Sequence, residues 1–294
     1  MEDRNQLPPP PPGYQMPQMP QMPVTSDIPP TSPYHYSPAP SRRASRGVLG
    51  GLAAAAAAAF AYGKYALLLL FKIPFATTLL SLLVSFGGYA IFYGPWFAVA
   101  LVTMILVHEM GHVIEIRRQG MQATAPIFIP FLGAAIFQRS HPTDALKQAQ
   151  IGIAGPIAGT IGATAAFALY GSTHIEVFLL AAWLGFFLNL FNLIPVWQLD
   201  GAWIVAPVSK WVQAAGYAVV AALALLHFVS IFLIVIALLG IPTLIQRFRN
   251  ADDPYYKTVP TQARWALGGA WLALVLYLGF ALVQSTSLLS AIPR

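Results

Sequence analysis

The sequence predicts an all-α polytopic membrane protein of about six transmembrane helices, with a re-entrant β-strand or hairpin element among them. Three observations predict it. Of 294 residues, 57% are hydrophobic and only 9% are charged, whereas a soluble domain carries about 25% charged residues and needs them to cover its surface. The apolar residues gather in runs of about twenty, the length that spans a bilayer. One further segment, 126–136, is apolar but contains Pro126, Pro130 and Gly133, which excludes a spanning helix. The net charge of +6 comes from Lys and Arg scattered at segment ends. That pattern anchors a chain in a lipid bilayer and predicts no nucleic-acid partner. The absence of cysteine excludes disulfides and thiolate metal sites.

Residues 1–46 differ in kind from the rest. They contain five consecutive prolines, Pro8 to Pro12, and three Gln-Met-Pro units between Gln15 and Pro23. Such a segment buries too little apolar area to offset its ordering entropy, so a disordered, partly polyproline tail is expected. Met1-Glu2-Asp3 precedes no apolar run, so no cleavable signal peptide is expected and the first hydrophobic helix would direct insertion. Arg42, Arg43 and Arg46 surround Ser45. We read them as solvated, topology-setting cations in preference to a docking or phosphorylation segment.

The Ala-rich run 48–62 is marginal for a span and reads as an interfacial or re-entrant helix. Spans follow at about 73–93, 95–116, 148–170, 176–196 and 265–287. The stretch 212–246 is too long for one ordinary span and carries His227 and Ser230 in its middle. Two short helices turning near His227–Ser230 are favoured over one long tilted helix, because only the hairpin returns Arg247, Arg249, Lys257 and Arg264 to the cytoplasm. The loop 117–147 carries Arg117, Arg118, Arg139 and Lys147, while the connections near 94 and 171–175 carry no Lys or Arg. That loop is therefore expected at the cytoplasmic face.

Chemistry concentrates in the second span, which contains His108, Glu109 and His112 as HEMGH. Ionisable groups inside a bilayer are costly and mark function. Positions i and i+4 share a helix face, so both imidazoles can bind one zinc ion, and the adjacent Glu109 can take a proton from water. His108 precedes Arg117 by nine residues, which sets it roughly 14 Å below that end of the span. A hydrolytic site needs a third protein ligand and one open position. Glu115 is displaced toward the membrane surface, and Glu176 opens the next span at the opposite face. Asp200 is the better choice. It sits in NLIPVWQLDG, residues 192–201, at the expected cytoplasmic end of the fourth span, where Pro195 breaks the helix and Gly201 is expected to let the backbone turn.

HEMGH in one span, followed by N-x-x-P-x-x-x-L-D-G at the end of another, resembles the site-2 protease family of intramembrane zinc metalloproteases. AGPIAG at 154–159 and PIFIPFLGAAI at 126–136 add to the resemblance, which covers roughly 66–286. It implies one zinc ion held by His108, His112 and Asp200, with Glu109 as general base. It implies hydrolysis of peptide bonds within transmembrane segments of other proteins, usually after a first cut elsewhere. The domain would occupy 47–294, in a compact form, because the loop 117–147 is too short for the PDZ domain many bacterial members insert. In a bacterium the protein would sit in the cell membrane.

The segment 126–136 is expected to be a re-entrant strand or hairpin near the metal, in preference to a loop dipping into lipid. A strand edge there could hold an unwound substrate by β-augmentation, with Phe128, Ile129 and Gly133 as candidate contacts. Asn192 could donate a hydrogen bond to the substrate. Asn189 is read as satisfying backbone groups, and Gly155, Pro156 and Gly159 as packing residues. His141, His174 and His227 lack partners at metal-ligand spacing and stay outside the site. The competing functions are an ion or proton transporter built on buried His and Asp, and an inactive homologue acting as a scaffold.

Overall fold

The structure, a computed structural model, describes residues 74–131, 133–136 and 141–292, with isolated positions at 31, 50, 51, 53, 54, 57 and 61. The expected tail and most of the Ala-rich run lie outside the described residues. One compact unit, Lys64–Arg294, holds the helical core.

Helix α1 (Pro74–Tyr93) and helix α2 (Pro95–Arg118) meet at Gly94, whose φ of 89° is open to glycine without penalty. Pro95 starts α2 at the position where its missing N–H costs nothing. Helix α3 (Ala145–Thr173) is opened by Asp144, which accepts from Lys147 N at 2.9 Å, and closed by His174 in the left-handed region. Helix α4 (Glu176–Asn192) packs with α2 and α3 around Met104, Ala163, Leu184 and Phe186. The chain leaves α4 at Leu193, before Pro195, so this helix is four residues shorter than the predicted 176–196.

Short helix α5 (Asp200–Val205) lies after that turn. Helices α6 (Lys210–Leu225) and α7 (Ile231–Arg249) replace the ambiguous stretch, separated by His227 at φ 61° and by Ser230, which caps α7. They run antiparallel: Gly240 meets the Tyr217 hydroxyl at mid-helix, and the Arg247 guanidinium reaches Ala206 O at 3.0 Å. Helix α8 (Pro254–Lys257) follows, with the Tyr255 hydroxyl donating to Gln148 Oε1 at 2.6 Å, beside the start of α3. Helix α9 (Thr261–Ser290) completes the core, burying Leu278 against α4.

Five of these helices are long and apolar enough to cross a membrane: α2, α3, α7, α9 and, within α1, Ala76–Tyr93. Glu176–Asn192 and Lys210–Leu225 are apolar but shorter. The chain is a multi-pass membrane protein.

The apolar segment between α2 and α3 is a hairpin of β1 (Ile127–Ile129) and β2 (Gly133–Ala135), antiparallel, with Ile127 opposite Ala135 and Ile129 opposite Gly133. Phe131 and Gly133 take positive φ at its turn. Strand β1 is fastened to α1: Phe128 N donates to Ser81 Oγ at 3.1 Å, and Phe131 N to the Tyr89 hydroxyl at 3.0 Å.

Candidate metal centre

His108 and His112 stand one turn apart on the inner face of α2, with Nε2 atoms 3.2 Å apart. The first residue of α5 completes the group. Asp200 Oδ2 lies 3.1 Å from His108 Nε2, and Oδ1 lies 3.4 Å from His112 Nε2. All three side chains are buried, and their ligand atoms fall within 4.8 Å of one another.

The donor set fits one metal ion. Each imidazole spends Nδ1 elsewhere, His108 on Asn189 Oδ1 at 2.8 Å and His112 on Ile151 O at 2.8 Å. A neutral ring that donates from Nδ1 presents a lone pair at Nε2, and both Nε2 atoms converge on the carboxylate. Asp200 Oδ2 accepts no hydrogen bond despite its burial. Removed from water, such an oxygen needs a compensating partner, and a cation between the three groups supplies it. Two imidazole nitrogens and one carboxylate are a zinc donor set that leaves a fourth position open.

Asp200 is carried there by a tight turn. The chain bends through Leu193–Leu199 with Gln198 at φ 65°, a conformation that costs a non-glycine residue energy. Gly201, expected to provide the turn, is helical instead. Its missing side chain serves a different purpose, because a Cβ there would collide with the carbonyls of Leu193 and Ile194. Trp271 Nε1 donates to the same Leu193 O at 2.9 Å.

The glycines of AGPIAG do more than pack helices. A Cβ on Gly155 would overlap the His112 ring, and one on Gly159 would overlap the Asn189 amide. Gly111, inside HEMGH, lets α2 approach the Ala154 carbonyl of α3. Pro156 removes the N–H that Gly152 O would accept, next to the carbonyl that receives His112.

A cavity of about 470 Å3 opens from the three ligands. Glu109 and Asn192 line it, with Ala134 and Ile136 at its strand side. Asn192 Nδ2 donates to Leu188 O at 3.1 Å, which leaves its second amide hydrogen. Of the strand candidates, Gly133 begins β2, the strand whose Ala134 lines the cavity. Ile129 is exposed. Phe128 is only 3% exposed and packs with Tyr89, Ala98, Val102 and Ile105, so its side chain belongs to the interior between α1 and α2 and not to the cavity wall. Glu115 pairs with Arg118 at 2.6 Å, away from the ligands.

Sequence reasoning missed Asn189 as the partner of His108, and the cavity-lining His141, Gln148, Gln198 and Trp203. An amide one turn before Asn192 in an otherwise apolar helix was the available signal for Asn189. His141 offered none, because its nearness to the ligands depends on how the chain returns from the hairpin.

The profile of Peptidase family M50 matches residues 96–175 and 170–237. These two stretches contain His108, Glu109, His112 and Asp200. The stretch 96–237 matches peptidase family M50, the site-2 protease family. M50 peptidases are zinc metalloproteases. The site-2 protease from Methanocaldococcus jannaschii is 19% identical, over 62% of this chain and 89% of that chain, with a TM-score of 0.34. No curated protein matches the chain.

Proposed function

We propose that this chain is an intramembrane zinc endopeptidase that hydrolyses peptide bonds within transmembrane segments of other membrane proteins. The observation that carries the reading is the convergence of His108, His112 and Asp200 on one point, beside a cavity that Glu109 also lines. Zinc held by these three residues would supply the Lewis acidity that polarises a carbonyl and acidifies water. Glu109 takes the proton of the attacking water and delivers it to the leaving amine. Asn192 directs its remaining N–H at the substrate carbonyl. The edge of β2 offers backbone groups to an extended substrate, since a helical one hides its carbonyls from attack.

The substrates are membrane proteins already shortened by a first cut. The domain 47–294 carries the activity, and the Pro-rich tail 1–46 is dispensable for chemistry because it holds no ligand candidate. A truncated chain lacking residues 1–40 therefore inserts, binds zinc and cleaves. The active-site helix α2 ends at the cytoplasmic face, in the cell membrane if the source is bacterial.

The test compares membrane proteomes of cells carrying the wild type or Glu109→Gln, together with zinc content of the purified chains. Glu109→Gln keeps zinc and loses cleavage by about 10²- to 10⁴-fold. Asp200→Ala loses both. No fragment cut inside a span, with a zinc-loaded wild type, overturns the reading.

A further inference from the structure

A second polar cavity, of about 210 Å3, lies behind the first. Gln148, Gln198 and Trp203 line both, so the two cavities share a wall. At the far side of the smaller one stands Arg247, 7% exposed. Its Nε and Nη2 both donate to Ala206 O, at 3.3 and 3.0 Å, and its guanidinium lies 3.8 Å over the Tyr256 ring. Nη1 is buried without a hydrogen-bond partner. Gln213 lines the same cavity, is 4% exposed, and its Oε1 is likewise unpartnered.

The charge around Arg247 is unbalanced. Arg264 Nη1 donates to Pro207 O at 2.7 Å, which brings a second guanidinium to the carbonyl next to Ala206. Among the described residues, the carboxylates pair with His108, His112, Arg118 and Lys257, and none with either arginine. A buried guanidinium without a counter-ion is costly, and the unpartnered N–H of a side chain that lines a cavity would be satisfied by an anionic oxygen placed beside it. Gln213, whose amide presents either its oxygen or its nitrogen by a flip, can also serve a carboxylate in that cavity.

We infer that the Arg247 cavity is a substrate subsite that takes a carboxylate side chain, Asp or Glu, lying close in sequence to the scissile bond. The inference rests on the peptidase reading, because the Arg247 cavity adjoins the cavity of Glu109 and Asp200 at Gln148, Gln198 and Trp203. The small volume suits one side chain and excludes a second helix.

Two measurements on the full-length chain in bicelles test it. The first is independent of peptidase activity. Trp197 lines this cavity and not the larger one, so the part of the emission change that Trp197→Phe removes reports its occupancy in zinc-free chain titrated with N-acetyl-glutamate amide or N-acetyl-glutamine amide. The glutamate compound should bind at least tenfold more tightly. Gln213→Leu, which leaves the Ala206 carbonyl capped, and Arg247→Gln should each reduce that preference severalfold or more, while Arg247→Lys restores part of it. Equal binding of the two compounds by the wild type overturns the subsite. So does an Arg247→Gln chain that loses zinc affinity yet keeps the preference, which would make Arg247 only a cap for the Asp200 helix.

The second measurement incubates zinc-loaded chain with a pool of single-span peptides randomised around the middle of the span. Mass spectrometry should find Asp or Glu enriched at one fixed distance from the cut, and Arg247→Gln should abolish the enrichment while neutral sequences are still cut. Cleavage without enrichment sinks the subsite and leaves the peptidase standing. No cleavage of any peptide by the wild type sinks the peptidase reading, and the titration alone then decides whether Arg247 binds a carboxylate.

Discussion

The Asn189 amide joins His108 to the backbone of its own helix. Its oxygen accepts from His108 Nδ1 at 2.8 Å, and its nitrogen donates to Gly185 O at 2.6 Å. The second bond fixes which end of the amide faces the imidazole, and the first fixes which imidazole nitrogen keeps its lone pair. The ring is thereby held in the tautomer a metal needs. Asn189→Ala should lower zinc affinity about 10- to 100-fold, the usual cost of losing a hydrogen bond behind a ligating histidine. Competition with a zinc chelator measures it, and unchanged affinity would show that His108 needs no such partner.

Gly155 and Gly159 should be intolerant of even a methyl group. The Cβ of Gly155→Ala falls within the His112 ring, and that of Gly159→Ala within the Asn189 amide. Either substitution displaces a ligand or its support, so zinc affinity should drop about tenfold or more. Gly171, at the far end of α3, has open space around it, and Gly171→Ala should be neutral or stabilising by about 0.5–1 kcal/mol. Chelator competition and thermal denaturation of the three variants make the comparison.

The grouping of His108, His112 and Asp200 is legible in the sequence because its parts obey local rules. A histidine pair at i and i+4 shares one face wherever the helix goes, and Pro195 ends a helix whatever surrounds it. The remainder depends on tertiary placement. Asn189 becomes a partner of His108 only because α4 lies against α2 at that height. The positive φ of this turn falls on Gln198 and not on Gly201, because close approach to Leu193 O already claims the glycine. In a three-residue strand, which side chain faces the interior depends on a single register step, and that step sent Phe128 inward.

The strap at α8 should respond to alkali. Burial, with the neighbouring Tyr256 and the Asp144 carboxylate adding to it, raises the Tyr255 phenol above its ordinary range. A raised value in the fold means that the neutral phenol is favoured there. Its contribution is whole below the unfolded value of about 10 and is lost as pH rises through the folded one. Wild-type stability should therefore fall more steeply above about pH 10 than that of Tyr255→Phe. Thermal denaturation at pH 9, 10 and 11 compares the slopes, and identical slopes would detach Tyr255 from the effect.

The hairpin of α6 and α7 makes a topological prediction that the cysteine-free chain can test directly. Arg247 reaches Ala206 O, and Tyr255 reaches Gln148, so residue 252 lies at the same end of the helices as the start of α3. Residue 172 lies at the other end of α3. Single cysteines at Thr143, Ser172 and Asp252 should then divide two against one with a membrane-impermeant maleimide applied outside intact cells: 172 labels, while 143 and 252 are protected until the membrane is opened. Asp252→Cys removes only an exposed pair with Lys257, and exposed pairs contribute little to stability. Were α6 and α7 instead one long crossing, 252 would label from outside with 172, and Arg247, Arg249, Lys257 and Arg264 would stand against the charge asymmetry that orients membrane proteins. Labelling at 252 with protection at 143 would overturn the hairpin and separate Arg247 from the Asp200 helix it caps.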